Sequence, residues 1–312
     1  MGRQARNADQ LTLLAFVGVI FAGGSNAVAI RLGNAELAPF WAATLRFGLA
    51  ALILMAFLVV ARTPLPDSRA RMGIVLYGLT AFAGSYAALY WGLAEAPAAT
   101  AQVVIAMVPL LTLLMAGSIR QERITARGVI GAAVAFAGIA VIVSDQLGSA
   151  VPLASLVALF VGTSFIALSV VLVKQVSPGH PVAANAFGMA IGAAVLAMLA
   201  IIAGEPLAIP ASIPTWASLL YLVLVGSIGL FMLTLYVLAR WSATASSYAI
   251  VAMPLVTVVV AALILGESVG PMFIVGSALV LIGVYSGISV RQAGQDATRS
   301  DEPSASRSSP RA

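Results

Sequence analysis

Ten long apolar runs parted by short polar hinges take up most of the chain: about 11 to 31, 38 to 61, 71 to 93, 97 to 118, 125 to 144, 152 to 173, 181 to 203, 214 to 238, 243 to 265 and 270 to 289. Each is close to the ~20 residues that a helix needs to cross the hydrocarbon of a bilayer. Six open at or beside a proline (Pro39, Pro97, Pro152, Pro181, Pro214, Pro271), where the missing N–H costs nothing, and this punctuation supports the boundaries. Runs this apolar are expected to be helices, because only helices and closed barrels leave no unpaired backbone group in lipid. Residues 1 to 10 are polar and no small-residue cleavage site follows the first run, so an uncleaved start is expected. From Arg291 the chain turns to Gln, Ser, Asp, Arg and Pro, too polar to bury, and residues 291 to 312 are expected to form a disordered cytoplasmic tail.

The pattern occurs twice. At a constant offset of 145, residues 105 to 138 match 250 to 283 without a gap at Ile105/Ile250, Pro109/Pro254, Leu110/Leu255, Thr112/Thr257, Ala116/Ala261, Ile119/Ile264, Glu122/Glu267, Gly131/Gly276, Ala133/Ala278 and Gly138/Gly283. The chain is a duplication. It divides into a cytoplasmic N-terminus (1 to 10), a first five-helix repeat (11 to 145), a second (150 to 290) and the tail.

Composition agrees: 61% hydrophobic residues, 9% charged and a mean hydropathy of +1.06 leave too little polarity to cover a water-soluble surface. With no cysteine, disulfides, thiol chemistry and thiolate metal sites are excluded, and a single His180 leaves no histidine cluster. Fourteen cations fall on one side of the ten runs (Arg3, Arg6, Arg62, Arg69, Arg71, Arg120, Arg123, Arg127, Lys174, Arg240, Arg291, Arg299, Arg307, Arg311) and only Arg31 on the other. The opposite loops carry Glu36, Glu95, Asp145, Glu205 and Glu267. This asymmetry puts both termini in the cytoplasm and accounts for the pI near 10.0 without nucleic acid. Five spans per repeat is an odd number, so the two halves run through the membrane in opposite senses. Inverted repeats of this kind build many secondary transporters, whose halves rock about a central site.

Few residues within the runs carry chemistry. Pro109 and Pro254 are the prolines that lie mid-run; each removes a helix hydrogen bond at a cost of about 3 kcal/mol, so matched breaks in the two halves are expected to frame the site or act as its hinges. Arg46 is the full charge deep in a run. It can attract a substrate carboxylate, or be a structural arginine bonded to neighbouring carbonyls and hydroxyls; the second is favoured because the corresponding place in the other half, near Ala186, has no charge. Ser25 and Asn26 on the first run, Ser164 on the sixth, Gln102 seven residues before Pro109, and Ser247 equally placed before Pro254 are the candidate polar contacts. Tyr86, Tyr90 and Trp91, with Tyr236 and Tyr248, are the candidate aromatic walls; Tyr90, Trp91 and Tyr236 lie near run ends and suit an interfacial belt equally. Gly128, Gly131, Gly138, Gly276 and Gly283 suggest close helix packing, and His180, in a hinge, has no assigned role. An enzyme would need a nucleophile with a base, paired carboxylates or metal ligands, and the runs contain no Asp, Glu, His, Cys or Lys beyond Lys174 at a run end. No metal or cofactor is expected.

The chain resembles the drug/metabolite transporter superfamily, and within it the EamA-like branch. The resemblance covers nearly all of residues 11 to 290 and is carried by GSNAVAIRLG at 24 to 33, LRFGLAA at 45 to 51, the passage from Tyr86 through Pro109, the Glu122 hinge and the same set in the second half. The family usually has tryptophan just before GSN, where this chain has Gly23, and an aromatic after it, where this chain has Ala27, departures that bear on substrate size. The resemblance implies a ten-helix transporter of the bacterial inner membrane, closest in layout to amino-acid exporters of the YddG kind. An exporter of amino acids, including aromatic or other apolar ones, is therefore expected, monomeric and with no partner beyond substrate and lipid. Export of drugs or other neutral metabolites is the alternative, and a receptor or other non-transport membrane protein the less favoured one. With no Asp, Glu or His in the runs for a proton relay, transport is expected to be uncoupled or an exchange.

Overall fold

The structure, a computed structural model, describes residues 2–63, 66–119, 126–147, 151–175, 180–238, 240 and 243–300, and every regular element among them is helical. We number the rods in chain order. α1 is Gly2–Asn34 and α2 Pro39–Val60; α3 runs continuously through Ser68–Tyr77, Gly78–Gly84 and Ser85–Gly92; α4 is broken into Ala98–Ile105 and Val108–Ser118. α5 is Ala126–Leu147, α6 Leu153–Gln175 and α7 Pro181–Ile202. α8 runs through Ile213–Val223, Leu224–Gly229 and Leu230–Leu238; α9 is Ala243–Leu265 and α10 Pro271–Ser300. Seven described stretches, from α1, α2, α3, α4, α6, α7 and α8, are long and apolar enough to cross a membrane, and Gly128–Ile142, Ala252–Leu265 and Pro271–Ser286 are shorter apolar helices. Helix α10 continues through Arg291 to Ser300, into the stretch expected to be disordered, whereas residues 301 to 312 lie outside the described residues. Apart from one glycine and Asp296, the continuation is built largely of tolerant helix formers, and no proline interrupts it before Pro303.

The rods are apolar outside as well as inside. Val60, Leu263 and Ile213 are 83%, 80% and 85% exposed, which suits lipid contact and not water. Prolines at the start of α2, α7 and α8 occupy first-turn positions, as their missing donor allows.

The packing between rods relates one half to the other. α2 packs along α7 and α5 along α10, while α1 lies against α8 and α9, and α6 against α3 and α4. Exchanging each rod for its repeat counterpart maps this set onto itself. Glycines show the same relation in atomic detail: a Cβ on Gly138 would lie 2.6 Å from the Gly276 carbonyl oxygen, and one on Gly283 would lie 2.5 Å from the Gly131 carbonyl oxygen. Since Gly131 corresponds to Gly276 and Gly138 to Gly283, the two contacts are exchanged by a pseudo-two-fold axis, as in an isologous interface. Close helix packing at these glycines is therefore observed. The main core joins Phe47 and Leu54, Tyr90 and Leu93, Leu159, Leu196 and Leu222; a second gathers Met107, Leu110, Ala135, Ile142, Val280 and Val284.

Two features depart from the expected symmetry. Pro109 breaks α4 at Ala106 and Met107, where the Met107 N–H bonds to the Val104 carbonyl at 3.0 Å and the Leu110 and Leu111 N–H groups both turn to Met107. Pro254, by contrast, sits inside an unbroken α9, so the expectation of equivalent breaks is corrected. Thr257 accounts for part of the difference. Its single hydroxyl proton is shared between the Met253 carbonyl, 3.1 Å away, and the Gly24 carbonyl of α1, tying the turn after Pro254 to its neighbour. Thr112, its counterpart, bonds within α4 to Val108 at 2.8 Å.

Candidate functional site

The polar centre of the described residues lies around Arg46. α2 carries it inward beside Phe47, and the side chain is 1% exposed. Facing it is the wide turn Leu224–Gly229 of α8, where hydrogen bonds run five residues back, not four. A helix widened in this way redirects carbonyls from its own ladder, and such turns are frequent at functional sites. Here the Gly226 carbonyl accepts from Arg46 Nη2 at 3.0 Å and from Asn26 Nδ2 at 3.3 Å, while Ser227 Oγ accepts from Arg46 Nε at 2.9 Å. Gly226 is required by space: a Cβ there would lie 2.1 Å from Asn26 Oδ1 and 3.5 Å from Arg46 Nη2. The Phe47 and Tyr86 rings stand 4.9 Å and 5.0 Å from the guanidinium carbon and supply cation–π attraction.

These contacts join α1 and α2 of the first half to α8 of the second, in the manner of a structural arginine, but they leave a remainder. Arg46 Nη1, Tyr90 Oη and Asn26 Oδ1 are buried and have no hydrogen-bond partner. Nor is there a carboxylate near Arg46 among the described residues, whose ion pair joins Arg31 to Glu267 at 3.4 Å.

The other candidates are distributed unevenly. Ser25 Oγ lies 2.6 Å from the Tyr221 hydroxyl on α8 and also donates to the Phe21 carbonyl. Tyr86 and Tyr90 lie side by side, ring centroids 6.3 Å apart. Tyr90 is fully buried, which excludes it from an interfacial belt, whereas Trp91 is exposed as a belt residue would be. Tyr236 stacks under Arg240 at 3.6 Å, away from Arg46. Gln102 is buried in the first piece of α4, and half-buried Ser164 donates to the Phe160 carbonyl of its own helix at 2.8 Å. The side chains of Ser247 and Tyr248, and all of Glu122, lie outside the described residues. Gly226, Ser227 and Tyr221 carry no signal of a site in the sequence, and Thr257 stands out there only as the repeat partner of Thr112. The wide turn has a counterpart at Gly78–Gly84 in α3, but a small-residue stretch inside a long apolar run looks like ordinary helix packing.

Three loop glutamates bind helix starts. Glu205 accepts from the Phe40 and Trp41 N–H groups at 3.2 and 2.8 Å, Glu267 from those of Ala98 and Ala99 at 3.0 and 3.4 Å, and Glu36 from Ser212 and Ala211. Each places negative charge at the positive end of a helix dipole. The Thr215 and Ser212 hydroxyls and the Ala211 N–H hold Glu36 down to about 2 from 4.5. Two cavities lie away from Arg46: one of about 380 Å³ beside Arg71, Ile74 and Phe187, and one of about 390 Å³ between Leu11, Leu14 and Tyr236.

Comparison with known proteins adds a family. The profile of the EamA-like transporter family matches residues 10–144 and again 148–287. A probable terminal-alkyne amino-acid exporter of Streptantibioticus cattleyicolor is 30% identical over 244 residues, 73% of this chain and 77% of that one. An uncharacterized inner membrane transporter of Escherichia coli K12, YedA, is 31% identical over 247 residues, 77% and 79% of the two chains. One crystal structure superposes with a TM-score of 0.63 at 19% identity, covering 92% of this chain and 99% of its own, and so shares the fold.

Proposed function

The chain belongs to the EamA-like transporter family, and from that premise we propose that it exports small metabolites, amino acids foremost, across the bacterial inner membrane. Ten spans in two inverted halves would rock about a central site, with both termini in the cytoplasm. The observation that carries the reading is the contact of Arg46 and Asn26, from the first half, with the wide turn at Gly226 and Ser227 in the second. Polar groups from both halves meet there, as alternating access about one site requires. The broken α4, Ser25, Asn26, Tyr86, Tyr90, Gln102, Ser164, Ser247 and Tyr248 would line or frame that site, with Pro109 and Pro254 as hinges. The Streptantibioticus relative, named a probable amino-acid exporter, supports the substrate class.

The lack of Asp, Glu or His in the spans supports uncoupled transport or exchange. The test is counterflow of radiolabelled amino acids and drugs in proteoliposomes. Saturable exchange of leucine or phenylalanine is expected. Carriage of drugs alone would shift the substrate class, and no flux of any compound would remove the transporter reading. Net accumulation driven by a proton or sodium gradient, with no substrate gradient, would refute the uncoupled mechanism.

A further inference from the structure

Arg46 has five N–H donors, and the structure uses two of them, on Ser227 and Gly226. A purely structural arginine sealed from solvent would be expected to find acceptors for the rest, since leaving a buried donor unsatisfied is costly, most of all when it is charged. Instead Nη1 completes no hydrogen bond, and neither does the Tyr90 hydroxyl, although it interacts with Arg46 as a neighbour. Asn26 Oδ1 is a third unpartnered buried atom, and Gly226 brings it beside the same guanidinium. A buried cation without an anion among the described residues, next to a hydroxyl whose own proton has no acceptor and an amide oxygen without a donor, has the polarity of a site whose anion is not part of the protein.

We propose that Arg46 Nη1 and the Tyr90 hydroxyl form a carboxylate subsite, with Asn26 Oδ1 placed to accept from an ammonium group on the same ligand. The ligand class is a small α-amino carboxylate. Leaving the subsite empty leaves Arg46 on the carbonyl and hydroxyl of the α8 turn; filling it neutralises the charge and relieves Nη1. Because Arg46 is sealed, a ligand enters only when α8 parts from α1, α2 and α3. Half-buried Ser25, Asn26 and Tyr86 lie along that seam. This inference rests on the transporter reading above for its route of entry.

The test is binding by the purified full-length chain in detergent, read as the unfolding midpoint against concentrations of L-leucine, 4-methylpentanoate and 4-methylpentanamide, with sodium chloride at matched ionic strength. The two carboxylates should raise the midpoint, and the amide and chloride should not. Tyr90→Phe should weaken carboxylate binding about tenfold, and Arg46→Lys should weaken it further. If Arg46→Lys fails to fold, Tyr90→Phe decides alone. Equal shifts by amide and carboxylate, no shift with either carboxylate, or wild-type binding by Tyr90→Phe would overturn the subsite. Leucine counterflow with the amide competing equally would keep the transporter and remove the subsite. Carboxylate-selective binding without flux of any compound would keep the subsite and sink the transport reading.

Discussion

At the scale of single residues, Arg46 decides more than any other side chain. One missing Cβ makes room for Asn26 beside it: at Gly226 a methyl group would collide with Asn26 Oδ1 at 2.1 Å, while Arg46 Nη2 would stand at an ordinary 3.5 Å. Gly226→Ala should therefore displace Asn26 or the wide turn and lower the unfolding midpoint in detergent, whereas Gly48→Ala, whose added carbon meets only Ala193 at 4.0 Å inside a helix, should keep it or raise it. Ser227→Ala leaves Arg46 Nε buried without an acceptor and should cost about 1–3 kcal/mol. Glu36 gives a pH dependence of definite sign. Its folded value of about 2 lies below the ordinary 4.5, so its contribution to stability is present above 4.5 and is lost as pH falls through about 2. The difference in midpoint between wild type and Glu36→Gln should accordingly be full at pH 6 and shrink toward pH 2; a difference that stayed constant would remove the Glu36 bonds from the account.

At the scale of elements, duplicated sequence has yielded unequal helices. Pro109 breaks α4 and Pro254 leaves α9 whole, although each deletes the same backbone donor. On the alternating-access reading proposed above, the state reached by rocking would present the mirror of this arrangement, with α9 bent and α4 straighter. Pro109→Ala and Pro254→Ala should both fold, because restoring a helix bond is not destabilising in itself. Both should slow leucine counterflow by about tenfold, each by favouring one state, a bias of about 1.4 kcal/mol. Wild-type rates in both variants would reduce the prolines to packing features.

At the scale of the whole molecule, the arginine distribution predicts cytoplasmic termini and an outward Glu267, and the contacts of Glu36, Glu205 and Glu267 gather at one end of the bundle, as that arrangement needs. Single cysteines near Gly2, Gly294 and Ser268, placed in this cysteine-free chain, should react with an impermeant thiol reagent on intact cells only at the third site. Labelling of the first two and not the third would invert the orientation. The helical membrane class, the duplication, the helix boundaries near the prolines and the residue types available for a site are all legible in the order of residues, because the penalty for unpaired backbone in lipid and the repeat spacing act through local composition and periodicity. The same order also brought Arg46, Asn26, Tyr86 and Tyr90 into view, as charge, amide and aromatic groups out of place in apolar runs. It took the packed bundle to show that Arg46 places two donors on a widened turn about 180 residues away, that Tyr90 is core and not belt, and that one proline breaks its helix while the other does not. The physical reason is that these outcomes depend on which carbonyls, hydroxyls and glycines the neighbouring rods bring within 3 Å, and in a bundle of near-uniform apolar helices that pairing is set by packing between the halves.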